Sequence, residues 1–319
     1  MSFAPSRVLV TGATGFVGRH LLTALRSAFP AAELVPAARA GETGGATVRA
    51  FDLMDAGGVA RLVAEVRPDA CVHLAAASAV AESFADPDAA WRANVDGTRA
   101  LAAALVRHAP ECRLLHASSG EVYGLSFNGG APLDEGAPLR PANPYAAAKA
   151  AADIALGEMA LRGLRVLRLR PLNHVGPGQS PRFAVASFAR QIARIEAGAQ
   201  PPAVRTGALD RQRDFLDVRD VCDAYASALA RADSLAAGTV LNIASGRLRP
   251  LGGVLADLLR IAGVRAEVEQ EQAALRPTDL AATPCRADAA RAALGWAPRR
   301  DWDATLAEIL DFWRAEVRA

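Results

Sequence analysis

Apolar residues in the first half of the chain occur in short continuous runs, and these alternate with longer stretches whose apolar positions recur at helical spacing. Runs without polar alternation are typical of strands buried on both faces of a parallel sheet. Strands and helices in alternation, joined by right-handed crossovers, predict an α/β fold with a doubly wound, Rossmann-type sheet. The predicted strands are 7–12, 33–39, 46–51, 69–75, 112–119 and 164–170, and the predicted helices are 16–28, 58–66, 89–108 and 144–161.

The alternation stops after Pro171, where Gly, Pro and polar residues become frequent. NHVGPGQSPRF and PPAVRTGALDRQRDF predict loops, and TVLNIA predicts a strand that returns to the sheet. From Pro250 onward the pattern predicts helices and loops only. The predicted helices of this half are 183–197, 218–230 and 303–314.

This change of pattern predicts a smaller, mostly helical C-terminal substrate domain over the carboxyl ends of the strands, where ligands bind in such sheets. The expected Rossmann domain comprises 1–172 and 214–247. The expected substrate domain comprises 173–213 and 248–319.

Composition argues against several classes of function. Of the 319 residues, 51% are hydrophobic and 22% are charged, which supports a sizeable core and not a disordered chain. A formal net charge of +2 gives no electrostatic case for nucleic-acid or membrane partners. The chain lacks an apolar run of about 18 residues and begins without a signal-peptide pattern, so we expect a cytoplasmic protein. Four separated cysteines and five histidines without ligand spacing predict no metal site.

The turn VTGATGFVG lies between the first predicted strand and its helix. Glycines at this place allow a tight turn and a close approach of the backbone to a pyrophosphate, which the helix N-terminus then faces. The sequence therefore predicts an NAD(P) site at this turn. Its expected members are Gly12, Thr14, Gly15, Phe16, Val17 and Gly18.

The residue that ends the second strand distinguishes the two nicotinamide cofactors. NAD sites carry a carboxylate there, whereas this chain carries Arg39, whose charge suits the 2′-phosphate of NADP(H). Glu42 follows slightly late and leaves NAD(H) open. Asp52 and Leu53 are expected at the adenine end of the cofactor. The expected backbone contacts after the fourth strand are Leu74, Ala75 and Ala76.

Among the 36 basic residues, Lys149 is the only lysine. Arginine can replace lysine as a generic positive charge, but not where a compact ammonium with an adjustable pKa is required. Asn143 and Pro144 are typical of a helix start, which places Tyr145 and Lys149 one turn apart on the same face. Ser119 closes the fifth predicted strand nearby.

These three side chains predict carbonyl reduction or its reverse. We expect the ammonium of Lys149, together with the positive nicotinamide, to lower the pKa of the Tyr145 phenol from its ordinary value of about 10. Tyr145 would then exchange a proton with the substrate oxygen while Ser119 binds the same oxygen. Lys149 would also hold the nicotinamide ribose.

TGATGFVG, HLAAAS, ANVDGT, SSGEVYG and PYAAAK, in this order, resemble the extended short-chain dehydrogenases/reductases. The resemblance covers essentially the whole chain and implies an NAD(P)-dependent oxidoreductase acting on a nucleotide sugar. It also implies a structural role for Asn94 near the active site.

The second half resembles the GDP-4-dehydro-6-deoxy-D-mannose reductases, which form GDP-D-rhamnose, in RPLNHVGPGQSPRF, RDFLDVRDV, LRPTDL and LGWAP. This resemblance implies a GDP-linked 4-keto-6-deoxy sugar as substrate and a role in polysaccharide biosynthesis. It places Asn173 and Arg182 at the sugar nucleotide, and Arg213 and Arg276 at its phosphates or ribose. Forked guanidinium donors suit a diphosphate.

Glu121 keeps an alternative open. It occupies the place of the catalytic glutamate in GDP-mannose 4,6-dehydratases, so we count it with Ser119 as both a catalytic and a substrate-binding candidate. GDP-fucose synthases need a cysteine beside the catalytic serine, where this chain has Gly120. Reduction without epimerisation is therefore the favoured hypothesis, with a dehydratase or epimerase as the alternative.

Two further hypotheses concern partners and class. The Ala-rich helices 89–108 and 144–161 have narrow faces that could pack across a two-fold axis, so we expect a homodimer. A non-enzymatic NAD(P)-sensing protein is the other class considered, although such proteins typically lose the Tyr–Lys pair.

Overall fold

A parallel sheet of seven strands forms the centre of the molecule, in the strand order β10-β6-β5-β4-β1-β2-β3. The computed structural model describes residues 3–41, 47–78, 80–271 and 280–318. The order 3-2-1-4-5-6, with β10 added beyond β6, is that of a Rossmann sheet, which confirms the predicted fold class. The strands are β1 (Arg7–Thr11), β2 (Glu33–Ala38), β3 (Arg49–Ala50), β4 (Ala70–His73), β5 (Arg113–Ala117), β6 (Val166–Pro171) and β10 (Val240–Ile243).

Helices cover both faces of this sheet and continue into the second half of the chain. They are α1 (Phe16–Ala28), α2 (Ala56–Val66), α3 (Val80–Ala85), α4 (Pro87–Trp91), α5 (Thr98–His108), α6 (Pro144–Leu161), α7 (Ala184–Glu196), α8 (Val218–Ala230), α9 (Leu251–Ala262), α10 (Asp288–Leu294) and α11 (Trp302–Arg318). A π-helical turn, Arg92–Gly97, joins α4 to α5, and a 3-10 segment, Gly120–Gly129, follows β5. None of the helices in these ranges is long and apolar enough to cross a membrane.

The continuous apolar strands bury both of their faces, as the pattern predicted. In β1, Val8 and Val10 join a core on the side of α1 and α8, whereas Leu9 joins a core beneath α2 and α5. All three side chains are fully buried. Complete burial of a Val or Leu side chain contributes roughly 1.5–3 kcal/mol, so both cores stabilise the sheet that carries the site.

Two small sheets occur where the sequence predicted only loops and helices, and these expectations were wrong. One contains β7 (Asn173–Val175), β9 (Gln212–Asp217) and β11 (Leu248–Pro250), and the other pairs β8 (Ala203–Thr206) with β12 (Glu267–Gln270). Their strands are short and carry many charged residues, so they lack the apolar runs from which the larger sheet was predicted. Distant segments of the chain supply their hydrogen-bonding partners.

Helices α7, α9 and α11 enclose a separate apolar core that includes Val204 and Phe215. The predicted domain boundaries stay a prediction, but the packing adds a detail to them. Cys285, Ala290 and Trp296, which the prediction assigned to the smaller domain, pack in the core beside α1 and α8.

Candidate active site

The turn between β1 and α1 contains backbone that only glycine accommodates. Gly12 has a φ of +71°, and a Cβ atom there would lie 2.7 Å from the Ala75 nitrogen. A Cβ atom at Gly18 would lie 2.4 Å from the Gly12 oxygen. Helix α1 begins directly after this turn, with Gly15 as its N-cap. Because Gly15 makes no side-chain cap hydrogen bond, the first N–H groups of α1 are not capped by it, which suits the binding of a pyrophosphate.

The other predicted cofactor residues line the same edge of the sheet. Thr14, Phe16 and Val17 belong to the turn and the first residues of α1. Leu74, Ala75 and Ala76 follow β4, and the Ala75 N–H donates to Thr11 Oγ1 at 3.4 Å.

The residues expected at the adenine end lie beyond β2 and β3. Arg39 directly follows β2 and is exposed. Asp52 Oδ1 accepts a hydrogen bond from the Met54 N–H at 2.9 Å. Leu53 packs so closely on Gly97 that a Cβ atom there would lie 2.5 Å from Leu53 Cγ. Glu42 lies outside the described residues.

Ser119, Tyr145 and Lys149 meet at the carboxyl end of β5. Asn143 caps α6 by accepting a hydrogen bond from the Ala146 N–H at 2.8 Å, which places Tyr145 in the first turn. The side chains of Tyr145 and Ser119 are hydrogen-bonded to each other. One turn further along α6, Lys149 Nζ donates to the Ala117 carbonyl oxygen at 2.7 Å. The geometry therefore brings together the three side chains that the sequence predicted for proton transfer.

Burial sets the protonation of this trio. Burial and, to a smaller extent, the charge of Glu121 raise the pKa of Tyr145 to about 12, against the hydrogen bond from Ser119. Burial also lowers the pKa of Lys149 to about 8, although Asp153 favours its ammonium form. The lowering predicted for Tyr145 concerns the site with Lys149 and the oxidised nicotinamide together and stays a prediction. In the protein alone, burial raises this pKa. At neutral pH Tyr145 is a neutral phenol, the form that donates a proton.

Asp153, which the sequence analysis missed, lies one turn beyond Lys149 and is fully buried. Its carboxylate accepts hydrogen bonds from Ser118 Oγ at 2.6 Å and from the Arg168 and Arg170 guanidinium groups at 3.0 Å. Burial raises its pKa, but Arg170, Ser118 and Arg168 together hold it below the ordinary value. The spacing of Tyr145, Lys149 and Asp153 at every fourth position was the available signal, since it puts all three on one helix face.

Two buried histidines lie on the sheet beside this network. His73 Nδ1 is 2.7 Å from Thr11 Oγ1, and its Nε2 is 3.0 Å from Thr98 Oγ1. Its ring centroid is 5.6 Å from that of His116, the residue opposite it in the β4–β5 ladder. Burial, and then the charge of Lys149, lower the pKa of His73 to about 3 and that of His116 well below its ordinary value. Both rings therefore stay neutral around pH 7.

Glu121 lies beside the catalytic trio, at the start of the 3-10 segment. Its N–H donates to Ser119 Oγ at 3.1 Å, and its Oε2 accepts from Asn143 Nδ2 at 3.4 Å. A carboxylate so close to Tyr145 can contact a substrate bound there.

Helix α3 and the π-helical turn support the site from one side, and sequence reasoning missed α3. Ser83 Oγ accepts a hydrogen bond from the Tyr145 N–H at 3.1 Å, so α3 fixes the start of α6. Asn94 is buried in the π-helical turn, where its side-chain amide accepts from the Ala77 N–H and donates to the Ala77 carbonyl oxygen. Asn94 thus holds the segment after β4 in place.

The predicted substrate residues occupy different positions. Asn173 begins β7, directly beyond β6. Arg182 is exposed and forms an ion pair with Glu82 of α3, a partner that the sequence did not indicate. Arg213 of β9 donates to the Leu280 carbonyl oxygen at 2.8 Å. Arg276 lies outside the described residues.

Comparison with known proteins agrees with this geometry. Residues 8–244 match the NAD dependent epimerase/dehydratase family. The chain is 36% identical to GDP-6-deoxy-D-mannose reductase of Pseudomonas aeruginosa over 313 residues, which is 98% of either chain. The structure of RMD from Pseudomonas aeruginosa complexed with NADPH has a TM-score of 0.87 at 35% identity and covers 98% of this chain and 99% of its own. A Thermus thermophilus UDP-glucose 4-epimerase complex with NAD has a TM-score of 0.84 at 29% identity and covers 97% of this chain and 99% of its own.

The matches to the relative and to the two structures span nearly the whole chain, and the family match alone includes the glycine turn, the serine strand and the Tyr–Lys helix. The redox-sensor hypothesis is set aside, since the relatives are enzymes and the trio is complete. The chain belongs to the NAD dependent epimerase/dehydratase family, the extended short-chain dehydrogenases/reductases, and is an NAD(P)-dependent oxidoreductase.

Proposed function

We propose that the protein reduces the 4-keto group of GDP-4-dehydro-6-deoxy-D-mannose to give GDP-D-rhamnose, with NADPH as the favoured reductant. The observation that carries this proposal is the meeting of Ser119, Tyr145 and Lys149 beside Gly120. Gly120 has no side chain that could act as the acid–base residue of an epimerase, and its Cα faces the Leu172 side chain, which a Cβ atom would meet at 2.8 Å. The relative named GDP-6-deoxy-D-mannose reductase supports the same substrate class.

The glycine turn fits a dinucleotide cofactor, because side chains at Gly12 and Gly18 would collide with backbone. When bound, the reduced nicotinamide supplies the hydride. The first N–H groups of α1 would hold the pyrophosphate, and Arg39 would hold a 2′-phosphate. NADH stays the alternative reductant.

Proton transfer falls to Tyr145. Its raised pKa of about 12 keeps the phenol protonated, and a neutral phenol can donate to the carbonyl oxygen of a sugar as that oxygen becomes an alkoxide. Ser119, already hydrogen-bonded to Tyr145, would donate to the same oxygen and fix its position. Lys149, held by the Ala117 carbonyl oxygen, would stabilise the phenolate that remains.

Glu121 favours a second candidate, GDP-mannose 4,6-dehydratase. The carboxylate lies close enough to raise the pKa of Tyr145, so it could remove a proton from a sugar held at that hydroxyl. A dehydratase needs this base, whereas a reductase needs only Tyr145 as a proton donor.

The test is the loss of NADPH absorbance with GDP-4-dehydro-6-deoxy-D-mannose, formed in place from GDP-mannose by a separate dehydratase. We expect oxidation only when the keto sugar is present, its loss in Tyr145→Phe, and retention in Glu121→Gln. Product NMR then defines the configuration at the reduced carbon. Formation of a keto sugar from GDP-mannose alone, abolished in Glu121→Gln, would replace the reductase by the dehydratase.

We also propose that the protein forms a homodimer. Large apolar side chains are exposed on the helices expected at the two-fold axis, with Ile154 59% and Leu161 89% exposed on α6. Trp91 of α4 and Val106 of α5 are also exposed. A dimer that covers them would remove this apolar area from water. Sedimentation should give twice the chain mass, and a monomer at micromolar concentration would reject the dimer.

A further inference from the structure

The small sheet β11-β9-β7 places three polar side chains on one face. In its ladders Asn173 lies opposite Phe215, and Arg213 lies opposite Arg249. Residues opposite each other share a face of a sheet, and so do residues two apart along one strand. Asn173, Arg213 and Arg249 therefore lie on the same face, with the first two already expected at the substrate.

Arg249 directly faces a like charge. Opposed residues of an antiparallel pair have Cβ atoms about 4.5–5.5 Å apart, and like charges in that arrangement are destabilising. Within the described ranges no carboxylate forms an ion pair with Arg249, although Asp257, Asp214 and Asp303 act on it from further away. Burial, and then the charge of Arg247, lower the pKa of the Arg249 guanidinium, and the three carboxylates oppose that lowering.

The surroundings fix this arginine in place. The Asp214 carboxylate, on the opposite face of β9, accepts hydrogen bonds from the Ser245 N–H at 2.9 Å and the Gly246 N–H at 2.7 Å. These bonds hold the turn that leads into β11. The Arg249 guanidinium carbon lies 4.4 Å from the centroid of the Trp302 ring.

Stacking on Trp302 occupies the face of the guanidinium and leaves its edge N–H donors available. A rigid, partly buried fork beside a second arginine matches a ligand with two adjacent anionic groups.

We propose that Arg249 is a second diphosphate-binding residue of the nucleotide-sugar site, paired across the β9–β11 ladder with Arg213 and positioned by Trp302. This inference deepens the proposed function and rests on it for the class of ligand, a nucleoside diphosphate sugar. The sequence pattern alone did not indicate a role for Arg249.

The experiment measures binding, independently of turnover. Titration calorimetry gives the binding affinities of GDP, UDP, dTDP and the corresponding nucleosides. Each is measured for the wild type and for the variants Arg249→Met, Arg249→Lys and Arg26→Met. Arg26 is an exposed arginine in the last turn of α1, so its replacement removes the same charge away from the small sheet. Thermal melting checks that each variant is folded.

We expect Arg249→Met to weaken binding of the preferred diphosphate by about tenfold to a hundredfold, the range for charge-assisted hydrogen bonds. Arg249→Lys should recover only part of this loss, because an ammonium lacks the fork. Nucleoside affinity should not change, and Arg26→Met should bind like the wild type.

Wild-type diphosphate affinity in folded Arg249→Met would overturn the proposal, as would an equal loss of nucleoside affinity. Strong binding of UDP or dTDP instead of GDP would refute the proposed substrate while leaving the Arg249 comparison intact. Absence of diphosphate binding by the wild type would overturn both.

Discussion

Replacing Asp153 by Asn tests how the site is held together. The carboxylate is fully buried, accepts four hydrogen bonds and balances two guanidinium groups. An amide in its place loses the negative charge and turns one donor group toward Arg168, Arg170 or Ser118. Breaking a buried ion pair by removing one partner costs about 3–5 kcal/mol.

This loss of stability should lower the melting temperature by a measurable amount. Domains of 150–250 residues lose roughly 2–4 °C per kcal/mol, so we expect the melting temperature to fall by roughly 6–20 °C. Asp233→Asn is the matched control, because that carboxylate is partly exposed and, among the residues that the structure describes, its ion pair is with Arg113 only. Its ion pair is worth about 0–1 kcal/mol, which predicts a shift of a few degrees at most.

Catalysis should respond in a way that lost stability alone would not produce. Asp153 favours the ammonium form of Lys149, whose pKa is about 8. Without that charge the pKa falls further, so the alkaline limb of kcat/KM for the reduction should move to lower pH. Stopped assays below the melting transition measure this shift. A variant that melts within about 2 °C of the wild type, or that keeps the alkaline limb in place, would refute the reasoning.

Three further perturbations address the cofactor and proton transfer. Tyr145→Phe should lower kcat by about 10²–10⁴-fold while NADPH affinity, followed by fluorescence, stays unchanged, because only the donated proton is lost; an active variant would remove Tyr145 from the mechanism. Gly12→Ala should weaken NADPH binding at least tenfold, since its Cβ would lie 2.7 Å from the Ala75 nitrogen; wild-type affinity by titration would contradict the tight turn. Arg39→Ala should raise KM for NADPH about ten- to a hundredfold and leave KM for NADH nearly constant, because it removes one charge-assisted contact to the 2′-phosphate. Equal changes of KM for both cofactors would show that Arg39 does not determine the preference for NADPH.

Elements with a local signal could be predicted from the sequence. Helices 16–28, 144–161 and 218–230 have the predicted bounds, because amphipathic spacing and residues such as Asn143 and Pro144 specify them within a few residues. The small sheets could not be predicted this way. Strand β7 pairs with β9, and β9 with β11, so their stability depends on contacts that no short window contains.

The same distinction between local and long-range contacts applies to the candidate site. The spacing of Tyr145 and Lys149, and the serine at a strand end, were enough to place the trio. The role of Asp153 depends on arginines from β6, and the ion pair of Arg182 depends on α3, so neither follows from local pattern. The raised pKa of Tyr145 in the protein alone could not be predicted, because burial is a property of the folded chain.

The two neutral histidines beside Lys149 make the protein sensitive to acid. An unfolded chain protonates its imidazoles below a pKa of about 6.5, whereas folded His73 resists protonation down to about 3. Between these values the unfolded state binds more protons, so stability falls as pH falls. An imidazole of this kind subtracts about 1.4 kcal/mol per pH unit below 6.5, so His73 alone removes about 2 kcal/mol by pH 5, and His116 acts in the same direction. Acid therefore destabilises this fold through two imidazoles buried in its central sheet, beside the proposed catalytic residues.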